Sequence, residues 1–467
     1  MFQRVALLIL LAAQLTDGYI ISKFGSTGVR SIAPLASLNT FLSDKASNSK
    51  DNRIWINDDG TCVAAASGIK SNECIYSIPI NECMDVKKAG TSLTWLASTA
   101  QSKLRTRDFG LLACYLLQEK ARGDKSQYFM YIDSLPEQAP GVLGWDDDLV
   151  QEFSQSTTRD ISKQLDAIEA DFNLISSTLT QSNTPHLGAD FDVNRWKWAM
   201  GIVKDKHIYI NGEPLLAPGI DFMAFDSYSE NEAIIEGAGM FGGRVVKVVS
   251  RKEYKGGELV SVCPGFKSVA ESVEDHGYIS QENTKDLIDP SCELTVSING
   301  EHQQTWDRYW EDKLDILELS GLKPTNQFDL TTEEELDPLL LQVLRLKFIR
   351  DKDSFILESI FRNTVMETLA LPFSRGNEKL VFEFLKKTTE TLIAQLGNVK
   401  STLDKPQVVI LQALRDAEIE ALETTKTKVE DVLRTLESRT ESTEYYQERR
   451  LRELDLLGPL DETEIVS

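Results

Sequence analysis

The spacing of apolar residues changes along the chain, and this change limits the folds that the sequence can adopt. Short runs such as "HIYI", "RVVKVVS" and "ELVSVC" alternate with Gly, Pro and Asn turns near residues 52–80 and 207–280, which is typical of short strands. Residues 92–200, and nearly everything from 303 onward, have the i, i+3, i+4, i+7 apolar spacing of helices. The pattern predicts an α+β fold: an irregular multi-stranded β domain with a helical insertion, then an all-helical domain.

Length and charge narrow the possible functions. The chain has 467 residues, enough for two or three domains that each bury a core. Its 50 Lys and Arg residues face 73 Asp and Glu residues, which gives a net charge of -23. Because a phosphate backbone is bound by clustered positive side chains and no such cluster occurs, we predict no nucleic-acid partner. The acidity favours solubility or attraction to a basic protein surface.

The N-terminus has the pattern of a targeting segment. Arg4 precedes an apolar run over 5–15 and small or polar residues over 16–18, which predicts a signal peptide over 1–18; a buried N-terminal helix is the alternative. Residues 19–45 are predicted to be a presequence or linker, because they are Ser-rich and basic and resemble the second part of the presequences of algae with secondary plastids. We therefore expect entry into the secretory route and a plastid destination. No other run approaches the roughly 18 apolar residues of a membrane helix, so the mature chain is expected to have no membrane span.

Familiar motifs do not identify a catalytic or metal site. "GAGMFG" at 237–242 matches the dinucleotide pattern G-x-G-x-x-G, but a strand-like run follows it where that fold needs a helix, so a glycine-rich hairpin loop is the better interpretation. His276 in "EDHGYI" is interpreted as a structural histidine in preference to a catalytic one. The remaining histidines and all six cysteines are spaced like no zinc or redox site, so we predict no metal: His186, His207, His302, Cys62, Cys74, Cys83, Cys114, Cys263 and Cys292.

Four long stretches together resemble a known family. They are "LLACYLLQEKARGDKSQYFMYIDSLPEQAPGVLGWDDD", "RWKWAMGIV", "LLAPGIDFMAFDS" and "KEYKGGELVSVCPGFKSVAESVEDHGYI". In order and spacing they are similar to the SET-domain protein lysine methyltransferases, in the branch of the Rubisco large-subunit methyltransferase. The tail, with "LRLKFIR" and "VVILQALRDAEIEAL", resembles that branch's helical substrate-binding domain. The resemblance implies a SET-like domain over 46–285 with its helical insertion at about 92–200, a substrate-binding-like domain over 303–440 and a charged tail over 441–467.

The chain departs from the family at the positions that the resemblance assigns to the cofactor, S-adenosylmethionine. The first glycine of the family's Gly-x-Gly is Gly60, but the second is Cys62. The family's Asn-His pair falls on Ala224 and Phe225, which offer no hydrogen-bonding side chain. Losing such a bond costs about 1 to 3 kcal/mol where its partner stays unpaired. These four are therefore expected to be vestigial cofactor positions.

The chain also departs from the family at the positions that handle the substrate amine. The tyrosine that orients the amine falls on Pro264, and an asparagine falls on Val269. Asp226 and Tyr278 are neighbours that offer compensation. The flanking residues remain in register: Pro218, Asp221, Lys267, Ser268 and Gly277.

Three functions remain open at this point. The main hypothesis is a catalytically degenerate protein that binds a protein partner through its cleft and its helical domain, with no cofactor. The alternative is an active S-adenosylmethionine-dependent protein-lysine N-methyltransferase acting on a plastid or other protein. The third is a cleft that takes another small ligand against the apolar side chains of Phe222, Met223 and Phe225.

Overall fold

The computed structural model of the chain forms two compact units. The first contains the described residues within Met1–Phe153, Asp160–Ile288 and Leu403–Ile410, and the second those within Ser154–Arg159, Asp289–Thr402 and Leu411–Ser467. The structure describes residues 32–47, 52–57, 60–182, 186–226, 229–237, 243–265, 267–279, 290–298, 301–302, 305–332, 335–359, 361–438 and 444–455.

Short strands arranged in small sheets form the β part of the first unit. Strands β4, β6 and β5 make one three-stranded sheet, and β3, β9 and β8 make another. Strands β1 and β2 pair antiparallel, whereas β7 and β10 pair parallel. The strands are β1 Ile54–Ile56, β2 Cys62–Ala64, β3 Cys74–Pro79, β4 Met84–Asp85, β5 His207–Ile210, β6 Glu213–Leu216, β7 Ala224–Phe225, β8 Ala233–Gly237, β9 Arg244–Val249 and β10 Ser261–Val262.

The helices of the first unit mostly lie between β4 and β5. Local sequence sets several of their ends: Asp192 caps the helix that follows it by accepting from the Arg195 N–H, and Gly123 ends another with φ 57°. The helices are α1 Ile32–Lys45, α2 Val86–Ser92, α3 Ser98–Gln101, α4 Asp108–Arg122, α5 Phe129–Asp133, α6 Asp147–Ser156, α7 Ser162–Ser182, α8 Val193–Lys206 and α9 Val269–His276.

The second unit is mainly helical but also contains strands. A seven-residue antiparallel ladder pairs β11 with β14, and β12 pairs with β13. The strands are β11 Ser291–Ser297, β12 Glu301–His302, β13 Thr305–Trp306 and β14 Thr325–Thr331, and the helices are α10 Trp310–Leu319, α11 Pro338–Lys347, α12 Val365–Thr368, α13 Arg375–Gly397, α14 Gln407–Ser438 and α15 Tyr446–Glu453.

Each unit has its own core. In the first, Trp196 of α8 is fully buried and its indole N–H donates to the Ile168 carbonyl at 2.9 Å, which ties α8 to α7. In the second, Leu344 and Leu385 are buried on α11 and α13, and Arg345 pairs with Glu378 inside the same core. Burial of these apolar faces is the main force that holds each unit together.

The predicted α+β class is confirmed, and the structure adds detail at the domain limits. Residues 32–45, within the segment expected to be a linker, form α1, whose Leu38 and Leu42 lie in the first core. The ladder of β11 and β14 was not predicted, because β11 lies between the two predicted domains and β14 lies in the region that was expected to be all-helical. Its apolar residues do alternate, but each run is short: Cys292, Leu294 and Val296 on β11, and Phe328 and Leu330 on β14. The C-terminal tail predicted over 441–467 contains α15, where Tyr446 stacks on Phe373.

Other predictions concern loops and cysteines. The glycine-rich motif does follow β8 and precede β9 in an antiparallel hairpin, with Gly237 opposite Arg244; residues 238–242 lie outside the described part. All six cysteines are described, and all are free thiols. The predicted signal peptide over 1–18 lies outside the described residues. Within the described ranges, no helix combines the length and apolar character that crossing a membrane requires.

Candidate functional site

One residue, Val260, joins the two stretches that were predicted to contact the cofactor. Its N–H donates to the carbonyl of Cys62 at 3.0 Å, and its own carbonyl accepts from the Ala224 N–H at 2.9 Å. The parallel pairing of β7 with β10 then places Phe225 opposite Val262. Pro264 follows two residues later. The structure therefore brings Cys62, Ala224, Phe225 and the segment that ends at Pro264 together in one backbone network.

The side chains at these positions are mostly apolar and shielded from solvent. Cys62, Phe225 and Pro264 are buried, and Ala224 is half-buried. Burial, and then the nearby Asp221 carboxylate, raises the pKa of the Cys62 thiol, so it is neutral at physiological pH. Gly60 has φ 82°, a conformation that favours glycine. None of the side chains of Cys62, Ala224, Phe225 and Pro264 carries an oxygen or nitrogen atom.

Asp221 supports the turn that leads into β7. The Tyr131 hydroxyl donates to its Oδ2 at 2.5 Å, and the Gly219 N–H donates to its Oδ1 at 3.1 Å. Burial raises the pKa of Asp221 to about 7 although both bonds lower it. These contacts fix the stretch 217–223, so Asp221 has a structural role here.

A group of charged residues lies beside Phe225, and sequence reasoning did not predict that its members meet. We call it the ionic network. It joins the end of α8 to α9 and to Lys267, which lies two residues before α9. Its members are largely buried and alternate in charge; they are Lys204, Asp205, Lys206, Lys267, Glu274, Asp275 and His276.

The ionic network is a continuous chain of contacts. Lys204 bonds the Glu274 carboxylate and lies 2.8 Å from Asp275 Oδ1. Lys267 Nζ donates to Asp275 Oδ2 at 3.0 Å and lies 3.3 Å from Nε2 of His276. Because each buried charge meets an opposite charge, the desolvation cost of each is offset within the network.

His276 occupies the centre of the network in a defined protonation state. Its Nδ1 lies 2.8 Å from Oδ1 of Asp205, which pairs on its other oxygen with Lys206 at 3.1 Å. A carboxylate only accepts and an ammonium only donates, so Nδ1 carries the proton and Nε2 accepts from Lys267. Burial, and then Lys267, lowers the pKa of His276, so its ring is neutral. Burial raises the pKa of Asp205, but Lys206 and His276 outweigh it and hold that pKa at about 2.

Two aromatic rings complete the surroundings of His276. Phe225 approaches with ring centroids 5.6 Å apart at 73°, and Tyr278 with centroids 5.5 Å apart at 34°. The imidazole therefore contacts Phe225, one of the predicted cofactor positions, directly. The preference for a structural over a catalytic histidine stays a prediction, but His276 does lie at the candidate site.

Only two short sequence segments could have indicated the ionic network. "KDK" ends a predicted helix and "EDH" lies in the stretch that resembles the family, so acids and bases recur at two places. Charges at helix ends usually face solvent, and the sequence contains nothing to show that these face each other. Within the described ranges, no cluster of three or more His, Cys, Asp or Glu side chains is arranged to hold a metal ion.

Close backbone packing holds α9 in this position. Ser268 and Glu271 form a capping box at its start, and Gly277 ends it with φ 75°. Gly141, with φ 62°, packs so tightly on its last turn that an added Cβ would lie 2.6 Å from the Asp275 carbonyl oxygen. The network thus depends on the absence of a side chain at position 141.

Comparisons with known proteins agree with this architecture. The family described as Rubisco LSMT substrate-binding matches residues 304–454. Over 372 residues the chain is 26% identical to the chloroplastic ribulose-1,5 bisphosphate carboxylase/oxygenase large subunit N-methyltransferase of Nicotiana tabacum. The alignment covers 74% of this chain and 71% of the relative. Over 366 residues it is 27% identical to the chloroplastic [fructose-bisphosphate aldolase]-lysine N-methyltransferase of Arabidopsis thaliana, covering 74% of this chain and 72% of the relative.

Three further comparisons concern a relative with a different acceptor and two solved structures. The actin-histidine N-methyltransferase of Xenopus tropicalis is 25% identical over 370 residues, which cover 76% of this chain and 60% of the relative. A crystal structure of the SET domain of LSMT bound to lysine and AdoHcy superposes with a TM-score of 0.71 at 22% identity, covering 93% of this chain and 98% of that chain. A structure of Rubisco LSMT bound to AdoMet gives a TM-score of 0.67 at 21% identity, covering 91% and 97%. The structural likeness shows the fold of these proteins.

Replacing Gly141 tests whether close packing maintains the network. We expect Gly141→Ala to lower the free energy of unfolding by at least about 3 kcal/mol, because backbone atoms of α9 have to move. Gly212→Ala is the matched control: Gly212 also has positive φ (81°) but has no atom within 4 Å of an added Cβ, so only about 1 kcal/mol of backbone strain applies. Urea unfolding of both variants measures the difference. Equal losses would show that packing against α9 contributes nothing.

Proposed function

Because the chain belongs to the SET-domain family of Rubisco large-subunit methyltransferase-like proteins, we propose that it is an S-adenosylmethionine-dependent protein N-methyltransferase. One observation carries this proposal: the similarity extends over both units, and the proteins that share it include relatives that methylate proteins. Their acceptors are lysine in the plant relatives and histidine in the actin relative. The acceptor proposed for this chain is therefore a side-chain nitrogen of a protein, with lysine as the first choice.

The residues present fit this cofactor in part. Gly60 keeps the backbone conformation at the start of the predicted site, and apolar side chains at 223 and 225 exclude water from it. Cys62, Ala224, Phe225 and Pro264 offer no polar side-chain anchor, and the N–H of Ala224 is already bonded to Val260. Polar recognition has to come from other backbone groups. When bound, the cofactor supplies an electrophilic methyl group on a positively charged sulfur.

The direct test measures binding and transfer separately. Calorimetry of the full chain with S-adenosylmethionine is expected to show micromolar binding, and labelled methyl groups are expected to reach an acceptor protein among the Rubisco large subunit, fructose-bisphosphate aldolase and actin. Ala224→Leu should weaken binding by inserting bulk into the cleft, whereas Ala233→Leu on β8 is the matched control and should leave it unchanged. A folded protein that neither binds the cofactor nor transfers methyl groups would overturn the proposal.

A second candidate function is favoured by the four altered side chains. In this alternative the chain is catalytically degenerate, binds no cofactor and holds a protein partner through its cleft and its helical C-terminal domain. The supporting observation is that Cys62, Ala224, Phe225 and Pro264 all lack the polar atoms that the family resemblance expects there.

Restoring the polar side chains discriminates between the two candidates. On the degenerate hypothesis, Ala224→Asn, Phe225→His and Pro264→Tyr combined should raise affinity for S-adenosylmethionine about tenfold or more, since each regained bond contributes on the order of 1 kcal/mol. Calorimetry measures the change, and circular dichroism checks that the triple variant folds. An unchanged affinity in a folded variant would count against the assigned positions.

We further propose that the chain is delivered to a plastid. The two plant relatives are chloroplastic proteins, and residues 1–45 have the targeting pattern described above. A fluorescent protein fused behind residues 1–45 should accumulate in the plastid of an alga with secondary plastids. Secretion of the fusion would contradict plastid delivery, and a cytosolic signal would contradict the signal peptide as well.

A further inference from the structure

His276 is unusual because its two ring nitrogens bond groups that demand opposite roles. Asp205 requires a proton on Nδ1, and Lys267 requires a lone pair on Nε2. Only the neutral ring with its proton on Nδ1 satisfies both. A second proton would place an N–H bond against an ammonium group 3.3 Å away, in a site that is 6% exposed.

The charges around His276 are balanced only while it is neutral. Three lysines face three carboxylates in the ionic network, so an imidazolium adds a charge with no new partner. The titratable groups around it come from every neighbouring element: Lys204, Asp205 and Lys206 from α8, His207 from β5, Lys267 from the segment before α9, Glu274 and Asp275 from α9 itself, and Tyr278 from the segment after α9. Burial raises the pKa of Tyr278, so its hydroxyl stays neutral in acid. Burying an uncompensated charge is costly, so protonation has to disrupt these contacts.

Protonation of His276 also affects the predicted cofactor position, because His276 contacts Phe225. The ring of His276 contacts Phe225, which belongs to the β7 and β10 pair. Its two hydrogen bonds join Asp205 of α8 and Lys267, two residues before α9. Any movement of His276 therefore displaces the side chain that lines the predicted cofactor position.

We propose that His276 is a positioning residue that holds Phe225 and the end of α9 in place only while its imidazole is neutral, so that acid loosens this wall of the cleft. The effect on folding stands by itself, whereas the effect on cofactor binding rests on the proposed function. The site is thereby regulated by pH through a residue that does not react.

The pH range follows from the directions of the pKa shifts. The pKa of His276 is lowered from its ordinary 6.5, so its contribution to stability is complete above that value and declines as the pH falls below it. The pKa of Asp205 is held at about 2, so its contribution declines only below the ordinary carboxylate value of 3.8. That leaves a range of about pH 4.5 to 6.5 in which histidine dominates the network's response.

Other buried groups also respond in this range. His207 has its pKa lowered to about 4 by burial and then Lys267, which gives the same sign as His276. Burial raises the pKa values of Asp221 and Glu418 to about 7, so these groups favour the folded state as the pH falls. The contribution of His276 is therefore measured as a difference between the wild type and a variant.

The variant of choice is His276→Gln. Its amide can donate to Asp205 and accept from Lys267 but does not titrate. Relative to His276→Gln, the wild type is expected to lose up to about tenfold in its folding equilibrium constant for each pH unit below 6.5, measured by urea unfolding. His186→Gln is the matched control, because His186 stacks on Trp95 away from the network, and it should follow the wild type. Parallel pH curves for the wild type and His276→Gln would overturn the proposal.

Two further measurements cover the case in which the variant does not fold. Nitrogen NMR of the wild-type histidines should show one ring, assigned to His276, with its proton on Nδ1 and a titration shifted below the ordinary histidine value of 6.5. A His276 signal that titrates near 6.5 would overturn the proposal. Calorimetry with S-adenosylmethionine should show affinity that falls in acid for the wild type but not for His276→Gln. Absence of binding at every pH would overturn the proposed function, and the NMR and unfolding results would still decide the role of His276.

Discussion

The backbone bonds of Val260 are the interaction on which the candidate site depends. They join Cys62 of β2 to Ala224 of β7, two positions far apart in the chain, through one residue. Each bond satisfies a polar group that would otherwise be buried without a partner, so the arrangement is strongly favoured over alternatives. Because these are main-chain bonds, the framework persists whichever side chains occupy positions 62, 224 and 225. These positions are therefore held together by the main chain, independently of the hydrogen-bonding capacity of their side chains.

The ionic network imposes a second constraint on the same region. Three lysines and three carboxylates are withdrawn from water, and each pays a desolvation cost that only close pairing offsets. The close approach of Gly141 to α9 makes that pairing geometrically possible. The result is a tightly paired region whose side chains leave little room for change, with neutral His276 at its centre. The polar groups near the site are therefore engaged with one another.

Much of the architecture was predictable because it depends on local pattern. The "DFGLLACYLLQEKARG" spacing corresponds to α4, with Gly123 ending the helix, and "RVVKVVS" corresponds to β9. The ladder between β11 and β14 was not predicted, because its alternating runs are short, one of them lies within a region of helical spacing, and only their pairing stabilises them. The residues of the candidate site likewise fall into a predicted and an unpredicted group. Cys62, Ala224, Phe225 and Pro264 were identified by their place in the family resemblance, whereas Lys204, Asp205 and Lys267 were not identified as site residues.

The sequence by itself determined the α+β class, the helical second unit and the lack of polar side chains at four positions of the predicted cofactor site. These properties follow from residue type and spacing, which act over a few residues. Only the tertiary structure decided that α8 and α9 bring their charges together, that His276 takes one tautomer and that its ring contacts Phe225. The reason is that charge pairing and protonation depend on distance and burial in three dimensions, and no local pattern specifies which distant groups will meet.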